Sequence, residues 1–146
     1  MYSNLIKSAK VYSQVNLETD ALSASPHKLI AMLLEGALSA ISTARQQMLD
    51  KQIEAKTRSI NKAMSIINEG LKASLDLRNG GEIALHLHSL YSYIAGRLFL
   101  ANLKNQPELL EEVAGLLEQI HDAWKQIGPT PGHSVSGRAT TISVAA

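Results

Sequence analysis

Five histidines, thirteen carboxylates and no cysteine set the chemistry open to this 146-residue chain. Without thiols there is no disulfide framework and no thiolate metal site, so the fold must rest on apolar burial. The His86-Leu87-His88 run resembles a metal pair. Residues two apart on a helix, however, point roughly 200° apart and cannot share one ion. Glu118-Gln119-Ile120-His121 matches the Glu-x-x-His element of di-iron bundles, but such sites need two copies and two further inward glutamates. The second copy is absent, and the single one reads as a polar helix edge. Gly80-Gly81 lacks the Lys-Ser/Thr and the preceding strand of a phosphate loop, and reads as a helix stop. The serines have no neighbouring histidine and acid to activate them. No catalytic residue, no metal and no cofactor is expected, and the chain does not read as an enzyme.

Charge narrows the partners. Fourteen basic against thirteen acidic residues leave a net charge of +1, too weak a field for binding by phosphate neutralisation. Lys51, Lys56, Arg58, Lys62 and Lys72 lie along one segment, but Glu54 and Glu69 interrupt them. That segment is a solvated face, with no nucleic acid expected on it. No stretch approaches the roughly 20 apolar residues of a membrane span, and the opening MYSNLIKSAKVYSQ has no continuous apolar run of the signal-peptide kind. The expected place is the cytoplasm, without membrane insertion.

The elements follow from apolar spacing and breakers. Apolar residues make up 45% of the chain and aromatics 4%, with no period-two runs, which predicts an all-α protein. No proline falls between Pro26 and Pro107. Ser25 caps and Pro26 opens a first helix with Leu29, Ile30, Leu33, Ala37, Ile41, Ala44 and Met48 inward. A second carries Ile53, Ile60, Met64, Ile67, Leu71 and Leu75 and stops at Arg78-Asn79-Gly80-Gly81. A third carries Ile83, Leu87, Leu90, Tyr91, Ile94, Leu98 and Ala101, and a fourth runs from Pro107 to Ile127 with Trp124 on its core stripe. Short links make this an antiparallel up-down-up-down four-helix bundle over 26–127. Residues 1–25 form a mobile N-terminal arm whose stripe is Leu5, Ile6, Ala9 and Tyr12, and 128–146 a disordered tail.

At about 100° per residue, two of the helices show a second stripe. The second helix aligns Ala55, Ser59, Ile66, Gly70, Ala73 and Leu77 roughly 120° from its core line. The third aligns Leu85, Ser92, Gly96, Phe99 and Leu103 nearly opposite its core line. Small residues beside bulky apolar ones make a groove for an amphipathic helix, with Ile66, Gly70, Ala73, Leu77, Leu85, Ser92, Gly96, Phe99 and Leu103 as the candidate contacts. Cover by the N-terminal arm or by self-association explains the pattern equally well, and a replaceable lid reconciles the readings.

Several segments in order resemble the FliS family of flagellar secretion chaperones: Ala9-Lys10-Val11-Tyr12, Ser25-Pro26-His27-Lys28-Leu29-Ile30, Met32 to Leu38, Ile66 to Leu71, Gly80 to Ala84, Leu90 to Tyr93, Ala101-Asn102-Leu103, and Glu111-Glu112-Val113 leading to Ala123-Trp124-Lys125. Leu34 departs from the pattern, since the family usually has an aromatic residue there. The resemblance implies a bundle that binds the disordered C-terminal region of flagellin one to one, keeps it from polymerising in the cytoplasm and presents it to the membrane export gate. It also implies that the arm, through Leu5, Ile6 and Tyr12, covers part of the surface when no client is bound. For the chaperone itself a weak homodimer is expected when no client is bound; the alternative, from another class, is a structural or regulatory bundle that homodimerises stably through the same stripes.

Overall fold

The computed structural model describes residues 24–127, which form four helices with no strand among them. The arm residues Leu5, Ile6, Ala9 and Tyr12 and the 128–146 tail lie outside the described residues.

Helix α1, Pro26–Leu49, starts as its cap predicts: the Lys28 amide donates to Ser25 Oγ at 3.2 Å, and Pro26 sits where its missing N–H has no partner to lose. Helix α2, Ile53–Ser65, passes into a π-helical segment, Ile66–Lys72, in which each turn takes up one more residue than an α turn. Helix α3 spans Gly81–Lys104 and α4 spans Pro107–Ile127. Asn105, at φ 52°, closes α3 in the left-handed conformation that asparagine tolerates.

The exit from the second helix differs from expectation. Regular structure ends at Lys72, well before the glycines. Ser74 turns its Oγ back to the Leu71 carbonyl at 2.8 Å, and the Asp76 carboxylate accepts from the Arg78 and Asn79 amides, each at 3.1 Å. These local hydrogen bonds offer the backbone an alternative to the helix. The glycines serve α3 instead. A Cβ on Gly80 would lie 2.5 Å from the Asp76 carbonyl oxygen, and Gly81 has φ +65°, so one is required by space and the other by backbone angle.

Helix α1 packs on both α2 and α4, while α3 packs on α2, its π continuation and α4, the arrangement of an antiparallel bundle. The centre is aliphatic: Leu29, Leu33, Leu34, Ala37 and Ile41 meet Ile60, Ile67, Leu71, Ile94, Leu98, Leu110 and Leu117. Ile53, expected inward, is half exposed at the first turn of α2. Lys56 is buried instead, and its Nζ donates to the carbonyl and side-chain oxygens of Asn102 at 3.0 and 2.7 Å. The ammonium thereby caps the negative end of α3 from a neighbouring helix, while burial holds the Lys56 pKa below the usual lysine value.

Candidate functional site

Helix α3 carries the surface that its second stripe predicts. Leu85, Phe99 and Leu103 are 53%, 60% and 67% exposed, and Ser92 and Gly96 lie exposed between them. A Cβ built on Gly96 would meet nothing within 4 Å. The result is a low waist flanked by apolar side chains, two turns of helix on either side.

The second helix does not supply the other wall. Ile66 is fully buried and its Cδ1 lies 3.5 Å from the position of a Cβ on Gly36 of α1, so it is core rather than surface. Gly70 is buried as well. The reason is geometric: a bundle helix has two neighbours, and the second stripe of α2 faces α1 while the first faces the centre. Ser59, on that same stripe, donates to Gln47 of α1 at 2.7 Å. Ala73 is exposed and Leu77 is 45% exposed, but both lie in the turn beyond the π segment and not on a helix face.

Three arrangements escaped the sequence reading. Lys72 reaches across to α3, with Nζ 3.3 Å from Ser92 Oγ. On the opposite flank of α3, Glu112 accepts from the Tyr93 hydroxyl and from Arg97 Nε at 2.9 Å. The hydrogen bond to the carboxylate pushes the Tyr93 hydroxyl pKa up, and that same bond, with Arg97, holds the Glu112 carboxyl down. Third, an apolar cleft of about 470 Å³ opens at the end of the bundle where α1 begins and α4 ends, lined by His27, Ile30, Leu34, Leu71, Tyr91 and Trp124 among others.

Trp124 is half-buried at the rim of this cleft, packed against the core but not sealed within it as its spacing predicts. Its ring stacks on His27 with centroids 4.8 Å apart and planes 9° from parallel. Trp124 Nε1 donates to the His27 carbonyl at 2.8 Å, and His27 Nε2 lies 2.9 Å from the Trp124 carbonyl and donates to it. This reciprocal clasp ties the start of α1 to the end of α4. Trp124→Ala removes the stack and one bond, and is expected to lower stability by about 3 kcal/mol, the low end for truncating a large aromatic side chain; urea unfolding followed by circular dichroism measures it.

The Glu118-His121 pair does not converge: His121 Nε2 sits 3.1 Å from Glu35 Oε2 on α1. No group of three or more potential metal ligands occurs among the described residues. None of the described helices is long and apolar enough to cross a membrane.

The described residues thus present two apolar features, the exposed face of α3 and the cleft at the end of the bundle. Comparison with known proteins identifies the family. The model of the family described as "Flagellar protein FliS" matches residues 8–131. The chain belongs to the FliS family. It is similar to the flagellar secretion chaperone FliS of Salmonella typhimurium, 50% identical over 82% of this chain and 89% of that protein. The Escherichia coli FliS is 41% identical over 82% of this chain and 88% of its own length. The Pseudomonas aeruginosa chaperone FliSB is 41% identical over 84% and 96%. The α3 face and the cleft both fall within the segment that the FliS model covers.

Proposed function

We propose that this FliS-family chain is a cytoplasmic chaperone of flagellar export that binds the C-terminal region of flagellin, one client per bundle, on the outer face of α3, and hands it to the membrane export gate. Gly96 carries this reading. Glycine in the middle of a helix costs roughly 0.5–1 kcal/mol relative to alanine, yet no atom of the described chain approaches closely enough to require it. Between the exposed Leu85 and Phe99 it leaves a flat waist on which a helix from outside the bundle can come close.

Magnitudes extend the site beyond α3. Burying Leu85, Phe99 and Leu103 contributes roughly 1.5–3 kcal/mol each, whereas ordering a disordered client costs about 1–2 kcal/mol per residue. Three side chains therefore offset the ordering of only a few residues. The apolar cleft at the end of the bundle supplies further surface, and Pro26, the first residue of α1 after the arm, is part of its lining. We read Leu5, Ile6, Ala9 and Tyr12 as a lid over part of the client-binding surface, which the client displaces.

A lid lowers apparent affinity by the fraction of closed molecules. A chain lacking residues 1–15 is thus expected to stay helical, to bind a flagellin C-terminal peptide at least as tightly as the full chain, and to support export poorly because contacts for delivery are gone. Calorimetry on the truncated chain checks the binding half, and weaker binding would make the arm part of the site. Size-exclusion chromatography with light scattering tests the function itself. A one-to-one complex with flagellin is expected; a stable homodimer that takes no flagellin would favour the structural alternative.

A further inference from the structure

The waist of the α3 face is not wholly apolar, because the π-helical segment delivers a cation to it. Sixteen residues beyond Lys56, at about 100° per residue, a continuous α-helix would place Lys72 roughly 160° away from that buried lysine, on the outside of the bundle. The π turns take up an additional residue, and Lys72 instead faces α3, its Nζ donating to Ser92 Oγ at 3.3 Å on the exposed surface. Its partner there is a neutral hydroxyl, not a carboxylate.

A helix lying along α3 would cover this ammonium. Removing it from water without a counter-charge would offset much of the gain from the apolar contacts on either side. We propose that Lys72 is a specificity-determining residue that takes a client carboxylate at the waist. Ser92 stands seven residues from both Leu85 and Phe99, two helical turns or roughly 10 Å each way. The matching client is an amphipathic helix bearing Asp or Glu on its apolar face, with large apolar residues about two turns before and after it. The π segment then has a purpose, since an unbroken α-helix would leave the lysine pointing into solvent.

This inference rests on the α3 face being the client surface, and the test separates the two. The full chain and Lys72→Met, close in shape but uncharged, are titrated at low and high salt with a synthetic peptide of the flagellin C-terminal region from the same cell, together with peptides in which each acidic residue is changed singly to Gln. Lys72→Met is expected to keep its circular dichroism and to weaken binding about tenfold at low salt, with most of the salt dependence gone. One acidic residue of the peptide should matter to the full chain and cease to matter to Lys72→Met. Equal affinity and equal salt dependence for the two proteins, or no coupled acidic residue, would overturn the role of Lys72 while leaving the client surface standing. Failure of the full chain to bind the peptide at all would overturn the client surface, and the role of Lys72 with it.

Discussion

Phe99→Asp is expected to weaken binding of the flagellin C-terminal segment by at least about a hundredfold while the chain stays helical. The phenyl ring is largely exposed on α3, so the free bundle loses little packing when it is replaced. In the complex the new carboxylate would be desolvated among apolar side chains without a partner, a penalty of several kcal/mol. Lys72 lies beside Ser92, two turns away from residue 99, and cannot neutralise it. Calorimetry with the peptide, alongside a circular dichroism spectrum, measures both halves. Binding within a few-fold of the unsubstituted chain would remove Phe99 from the site.

Ile66→Asp is expected to do the opposite kind of damage. Ile66 is fully buried between the π segment and α1. Truncating such a side chain alone costs about 2–5 kcal/mol, and an unpaired buried carboxylate adds more. The sum is comparable with the entire stability of an average domain, about 5–15 kcal/mol, so the variant should be largely unfolded at room temperature. Thermal and urea melts followed by circular dichroism check this. A well-folded Ile66→Asp that fails only in binding would return Ile66 to the surface.

These two residues mark where the sequence could be read and where it could not. The four helices, the Ser25 cap and the core lines of α1 and α3 were legible because spacing, proline and capping act locally. The α3 face was legible because its stripe lies nearly opposite the core line, where the bundle provides no neighbour. The stripe through Ile66 and Gly70 looked the same on a helical projection, but a projection cannot distinguish a neighbouring helix from solvent. Lys72 was out of reach because its direction depends on the π turns, and a uniform rotation per residue hides them. The end of the second helix was misplaced because Asp76 and Ser74, rather than the glycines, redirect the backbone. The His27–Trp124 clasp joins residues 97 apart in the chain, a separation for which local pattern gives no signal.

The most direct measurement is isothermal titration of the full chain with the C-terminal segment of the flagellin made by the same cell, repeated at several temperatures. Saturation at one client per chain is expected, with a clearly negative heat-capacity change from burial of the α3 face and the cleft. Absence of saturable heat with a client segment shown to be monomeric, or binding whose heat capacity is unchanged, would contradict an apolar client surface on this bundle.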